Sequence, residues 1–250
     1  MEKTAIIVQA RIGSTRLPKK LIKPFVGDKT IFEIIVERLR DNCNLPIIIA
    51  TTLNRNDDVL EEKSKQLGVC CFRGDEKDVL KRFIDAAEAN NCEKIIRVCS
   101  DNPFLISDSI NELIKFVSID NCDYASYLIN DKPSIKTHFG FWAEFVTLKT
   151  LKIVSSKTDD LLYHEHVTNF IYEHPDQFLI KWIFTPSIIN LRSDIRLTID
   201  TESDFNTAKL IFEEIYIHNN NPKIEDIINV IDKNPDTLEN MKKQILFNSK

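Results

Sequence analysis

The sequence predicts an α/β protein: a Rossmann-like, mostly parallel sheet with helices on both faces, and a small irregular α/β lobe in the middle. Three observations carry this. Short, mostly apolar, β-favouring runs alternate with amphipathic stretches through the first half. The runs lack the strict alternation of half-exposed strands, as expected where both faces of a parallel sheet are covered. The resulting βαβα order is what right-handed crossovers produce.

The elements follow in order. Ala5–Val8, Ile47–Ala50, Val69–Phe72 and Ile95–Val98 are the predicted parallel strands. Lys29-Thr30, or Asp28 before them, opens a helix over Ile31 to Leu39. Val79, Leu80, Phe83, Ala86 and Ala87 follow helical spacing, with Asp75 and Asp78 placed as a cap. Ser107 opens a helix toward Phe116. The rhythm lapses from about Cys122 to Gly140, where Tyr124, Ser126 and Leu128 suggest a strand and Asn130–Pro133 a turn. Helices are expected over 143–155 and 160–173, and a strand from Phe178 to Phe184. Ile195 to Asp200 alternates like a strand, with Ile195, Leu197 and Ile199 on one face. Thr201 then caps a helix with Asp204 three positions on. Further helix is interrupted near Pro222 and Pro235. No repeat or linker divides the chain, so 1–250 reads as one domain.

Composition narrows the function. The 250 residues carry 33 Lys and Arg against 38 Asp and Glu, a net charge of −5. That excludes a generally basic nucleic-acid binder but leaves room for a local anion site. No apolar run approaches the ~20 residues of a membrane-spanning helix. Met1 to Thr4 shows no leader pattern. Six cysteines without a Cys-x-x-Cys pair read as reduced thiols. A cytoplasmic protein is expected, with no membrane or nucleic-acid partner. A chain this long buries roughly 70–75% of its unfolded surface and needs no staples.

Ligands of open parallel sheets bind beyond the carboxyl ends of the strands. The loops 9–20, 51–57, 73–78 and 99–106 are therefore the candidates for chemistry. The first, Gln9-Ala10-Arg11-Ile12-Gly13-Ser14-Thr15-Arg16-Leu17-Pro18-Lys19-Lys20-Leu21, crowds four cations onto a short segment of an acidic protein. Backbone N–H groups near Gly13 and Ser14 suit phosphate oxygens, and Arg11, Arg16 and Lys20 suit the charge of a triphosphate. A solvated basic loop is the competing reading. The spacing is not that of a P-loop NTPase.

The run Ala10-Arg11-x-Gly13-Ser14-x-Arg16-Leu17-Pro18-x-Lys20-Leu21 resembles the opening motif of the cytidylyltransferases that activate acidic sugars, such as the CMP-sialic acid and CMP-Kdo synthetases. Phe72-Arg73-Gly74 with Asp78-Val79-Leu80-x-Arg82-Phe83, and Ile96-Arg97-Val98-Cys99-Ser100-Asp101-Asn102-Pro103, resemble blocks of the spore-coat-polysaccharide branch. So do Gly140 to Glu144, Glu165-His166-Val167-Thr168 and Leu197-Thr198-Ile199-Asp200-Thr201. The similarity spans roughly residues 4–210.

The resemblance implies nucleotide transfer: the α-phosphate of CTP joins an acidic-sugar oxygen and pyrophosphate leaves. It implies triphosphate binding by Arg11, Arg16 and Lys20, with Lys20 bearing charge on the α-phosphate. Lys19 stands where the family commonly has Gly, so either lysine is a candidate; the nine-residue offset from Arg11 favours Lys20. Asp101 and Asp200 match the family's metal-binding aspartates, and two carboxylates suit Mg²⁺ completed by phosphate and water. Taken singly, Asp101 reads as a turn former and Asp200 as a helix cap. Arg73 and Arg82 are candidates for base, ribose or phosphate, and Arg82 alone reads as an exposed helix cation. Ala10 and Ser100 are candidates for cytosine. Glu144 and His166 are expected near the acceptor; alone, Glu144 reads as a solvated first-turn helix residue. His164 departs from the branch, where Arg is common, and Phe141 and Trp142 read as packing residues. A homodimer built through residues 122–184, which would also bind acceptor, is the expected assembly. Two rivals are weighed: a nucleotide-sugar-dependent glycosyltransferase, which Cys99 disfavours by breaking an Asp-x-Asp pair, and a non-catalytic nucleotide or sugar-phosphate binding protein.

Overall fold

The computed structural model describes residues 3–119, 121–216, 219 and 221–248. Met1 and Glu2, read above for a leader, lie outside the described residues. Strands are β1 (Thr4–Gln9), β2 (Pro24–Val26), β3 (Lys29–Thr30), β4 (Ile47–Thr52), β5 (Cys70–Gly74), β6 (Lys94–Cys99), β7 (Tyr124–Ile129), β8 (Lys132–Pro133), β9 (Glu144–Thr147) and β10 (Ile180–Phe184). Helices are α1 (Ile31–Asn42), α2 (Asp58–Gln66), α3 (Val79–Ala89), α4 (Ser107–Ile119), α5 (Leu148–Lys157), α6 (Leu161–Glu165), α7 (Asn169–Glu173), α8 (Ser187–Asn190), α9 (Glu202–Tyr216), α10 (Ile224–Lys233) and α11 (Pro235–Phe247).

The main sheet runs β10-β7-β9-β6-β1-β4-β5, with β8 beside β7. β1 pairs parallel with β4 and β6, β4 with β5, and β10 with β7. β9 runs antiparallel between β6 and β7. The expectation of a mostly parallel α/β sheet holds. The middle segment is no separate layer: it supplies β7, β9 and β10 to the same sheet.

β1 shows why its run is apolar throughout. Ile6 and Val8 enter one core, with Phe32 of α1, Ile110 of α4 and Phe212 of α9. Ala5 and Ile7 enter the other, with Phe83 of α3 and Val154 of α5. Each residue of the run is therefore buried on one side or the other. Phe139, Phe141, Trp142 and Tyr127 form one aromatic cluster in the first core, so the packing reading of Phe141 and Trp142 stands.

Caps fall close to expectation. Thr30 and Glu33 form a capping box on α1. Thr201 and Asp204 cap α9 reciprocally, at 3.1 and 2.8 Å. On α3 the cap is Asp78, which accepts from the Lys81 N–H at 2.7 Å, while Asp75 turns the preceding loop.

Three expectations need correction. Residues 143–155 are a strand followed by a helix, because Glu144–Thr147 pairs between β6 and β7. Residues 160–173 form two short helices broken at His166–Thr168. Residues 195–200 are extended but form no strand: the N–H groups of Leu197 and Ile199 bond to loop carbonyls of His138 and Asp101. The alternation misled because Arg196 and Thr198, on the supposed outer face, are also buried.

Candidate functional site

A cleft of about 580 Å³ opens where β1 and β6 end. The first loop forms one wall. It is pinned by apolar anchors, Ile12, Leu17 and Leu21, all buried. Asp57, itself buried, accepts the Ile12 N–H at 2.7 Å and a bond from the Thr52 hydroxyl. These contacts leave the cations facing the cleft. Arg11, Arg16 and Lys20 line it, with Arg97 and Lys136, against the carboxylates of Asp101, Glu165 and Asp200. Cations outnumber carboxylates here although the chain is acidic overall, the local excess that an anionic ligand requires.

Each phosphate-candidate cation has a carboxylate partner. Lys20 donates to Asp101 Oδ2 at 3.3 Å and to the Ile199 carbonyl at 2.5 Å. Arg16 donates to Asp200 Oδ1 at 2.7 Å. Arg11 Nη2 stands 3.6 Å from Glu165 Oε1. Asp200 is aimed by Arg196, whose buried guanidinium also grips Asp204 and meets His138 Nδ1. Lys20 is buried, whereas Lys19 is exposed and outside the cleft lining. Of these two adjacent lysines, Lys20 is the one that lines the cleft.

Asp101 and Asp200, far apart in sequence, line this one cleft. The Ile199 N–H bonds to the Asp101 carbonyl, which ties their segments together. Two carboxylates on one cleft, now paired with Lys20, Arg16 and Arg196, suit a magnesium-like cation that draws its other ligands from phosphate and water. Among the described residues no group of three or more His, Cys, Asp or Glu could hold a metal alone.

The far wall is built by α6, α7 and the strand ends. His166, Thr168, Asn169 and Tyr172 line it. Burial lowers the His166 pKa, Glu165 opposes and the nearby Arg97 and Lys136 reinforce, so the imidazole is neutral at pH 7. Beneath it, Arg97 donates to Glu144 and to Gln9 Oε1. Glu144 also accepts from Tyr124 and from Thr168 at 3.0 Å.

Most of the remaining expected residues lie elsewhere. Glu144 is buried on a strand with its carboxylate spent on Arg97, Tyr124 and Thr168, so it supports the cleft from below instead of meeting an acceptor. Arg73 is committed to the Thr52 and Asn54 carbonyls and to Asp58 and Glu61, away from the cleft. Arg82 is no exposed helix cation: it is fully buried, bonded to the Asp75 carbonyl, and its pKa is lowered by burial and then by Arg11. Ala10 is buried behind the lining, and Gly13 sits exposed at the loop's turn. Ser100 lines the cleft.

Sequence reading missed Glu165, Asp57 and Arg97 as parts of this site. Arg97 left a signal, a lone charge inside an apolar strand run. Glu165 stands in a matched block and Asp57 in a candidate loop, but neither revealed its partner, which lies 154 or 45 positions away.

Comparison with known proteins agrees with this architecture. A family model described as Cytidylyltransferase matches residues 5–240. An uncharacterized protein of Methanocaldococcus jannaschii is 37% identical over 232 residues, covering 92% of this chain and 90% of its own. The spore coat polysaccharide biosynthesis protein SpsF of Bacillus subtilis is 32% identical over 246 residues, covering 94% and 97%. A cytidylyltransferase structure from Leptospira borgpetersenii superposes with a TM-score of 0.83 at 31% identity, covering 96% and 98%. A CMP:2-keto-3-deoxy-manno-octonic acid synthetase complexed with CTP shares the fold, with a TM-score of 0.63 at 13% identity, covering 85% and 99%.

Proposed function

The chain belongs to the cytidylyltransferase family, and we propose that it transfers CMP from CTP to an acidic sugar, or a related surface-glycan precursor, with release of pyrophosphate. The observation that carries this reading is the convergence of Arg11, Arg16 and Lys20 with Asp101 and Asp200 on one cleft. SpsF, the relative from Bacillus subtilis, is named for polysaccharide biosynthesis, and the synthetase that shares the fold was solved with CTP. Both facts favour this donor and this kind of acceptor.

The acceptor hydroxyl loses its proton to solvent as its oxygen attacks the α-phosphorus, the bond between the α-phosphorus and the bridging oxygen breaks, and the pyrophosphate carries away the electron pair. Arg11 and Arg16 hold the β- and γ-phosphates. Lys20, buried and fixed from two sides, stabilises charge on the α-phosphate where water screens it least. Ser100 borders the nucleotide. Asp101 and Asp200 hold Mg²⁺ or a similar cation, which when bound polarises the phosphates. His166, neutral and facing the far end, meets the acceptor. That end carries Arg97, paired with Glu144, and Lys136, paired with Glu173, and an acidic sugar would meet both cations there. The active unit is a homodimer.

A pyrophosphate-release assay with CTP and a panel of acidic sugars tests the reading. Asp101→Asn is expected to abolish release, and Lys20→Met to lower it by about 10²–10³. Full activity in Asp101→Asn would reject the metal assignment. CMP transfer absent from every acidic sugar but present with a neutral one would reject the acceptor class.

A further inference from the structure

The three phosphate-candidate cations are each held by a different carboxylate of the cleft: Arg11 by Glu165, Arg16 by Asp200 and Lys20 by Asp101. The pairs line the same cleft, and that of Arg11 with Glu165 spans its two walls, so the carboxylates occupy positions that phosphate oxygens would need. We propose that Glu165, Asp200 and Asp101 are built-in competitors of the triphosphate, and that Glu165 is the one competitor a bound cation does not remove. This rests on the nucleotide reading above.

The physical basis is charge balance. Unpaired cations crowded on a short loop repel one another. The carboxylates relieve that repulsion and hold the side chains near the geometry a triphosphate needs. An incoming triphosphate has to displace them, which weakens its binding. Asp101 and Asp200 can turn to a divalent cation as the phosphates take Lys20 and Arg16. Glu165 has no such outlet. It stands on α6, next to His166, and swings away from Arg11 when the nucleotide enters. Displacement of Glu165 thus couples the nucleotide wall to the wall that meets the acceptor.

Calorimetric titration of the full chain with CTP in excess EDTA tests this with no divalent cation bound. The variants are Glu165→Gln, Asp200→Asn and, as a charge control away from the cleft, Asp85→Asn. Glu165 is more than half exposed, so its variant is expected to fold even if Asp200→Asn, which loses a partner of buried Arg196, does not. Glu165→Gln and Asp200→Asn are expected to bind CTP about three- to fivefold more tightly, in the range of exposed ion pairs. Asp85→Asn is expected to leave the affinity unchanged. With Mg²⁺ present, Glu165→Gln still tightens binding, whereas Asp200→Asn loosens it. Unchanged or weaker binding by Glu165→Gln overturns the inference, as does equal tightening by Asp85→Asn. A wild-type protein that binds CTP with Mg²⁺ while Glu165→Gln has no effect defeats this inference alone. A wild-type protein that binds no CTP at all defeats the nucleotide reading and this inference with it.

Discussion

His164 shows how one side chain can replace another of different chemistry. Its Nδ1 meets Asp78 Oδ2 at 2.7 Å and its Nε2 meets the Thr158 carbonyl at 2.9 Å. Two acceptors require two donors, so the imidazolium is favoured. Burial alone would lower the pKa, but the bonds to Thr158 and Asp78 outweigh it and raise it above the ordinary value of 6.5. A doubly donating cation makes the same kind of bonds as the Arg that the resemblance leads one to expect here. The raised value sets the sign of the pH dependence. The contact stabilises the fold fully below pH 6.5, and that contribution is lost as pH rises through the folded-state pKa. His164→Gln is expected to lower the melting temperature at pH 6, by about 1 kcal/mol in stability, with the gap to wild type shrinking by pH 9. A gap that widens with pH would contradict the assignment. At this scale the sequence exposed types but not partners. Arg11, Arg16, Lys20, Asp101 and Asp200 were legible as a set because their motifs are local. Glu144 was misjudged because nothing local reveals that its carboxylate is shared by Arg97, Tyr124 and Thr168.

At the scale of elements, the loop after β1 explains why Lys19 stands out. Lys19 has φ of 60° and precedes a single 3₁₀ turn, Lys20–Ile22, that delivers Lys20 to the cleft. A left-handed backbone costs a residue with a Cβ roughly 1–2 kcal/mol, while glycine visits it freely. A glycine, which the resemblance leads one to expect here, would take this backbone freely. Lys19→Gly is expected to keep nucleotide binding and to raise stability by about 0.5 kcal/mol, once glycine's greater unfolded entropy is set against the relieved backbone. Chemical denaturation measures it. A drop of 1 kcal/mol or more would mean that the lysine side chain, not the turn, holds the loop. Strands and caps were legible where a short run is apolar throughout, as in β1, or follows the helical period behind a cap, as in α1. The extended run 195–200 was not, because a loop buried on both sides carries the same alternation as a half-exposed strand.

Across the whole molecule, the sheet order brings the ends of β1 and β6 side by side. The segment around Asp200 packs against the loop of Asp101 through one backbone bond. Pairing of β9 between β6 and β7 places Glu144 beneath Arg97. The cleft therefore assembles only when distant parts of the chain fold together. The parallel half of this plan was legible from its rhythm; the insertion of antiparallel β9 was not, since four residues leave no periodic signal. Among the described residues, no helix is long and apolar enough to cross a membrane.

The central claim is a cleft made for CTP with a divalent cation, and thermal unfolding with CTP, UTP, ATP and GTP, each with and without Mg²⁺, tests it most directly. At a hundred times its dissociation constant a ligand that binds only the folded chain adds about 2.7 kcal/mol, roughly 5–10 °C for a protein of this size. The account predicts such a shift for CTP with Mg²⁺ and a much smaller one for the other nucleotides. An equal shift with UTP or ATP, or none with CTP, would contradict it.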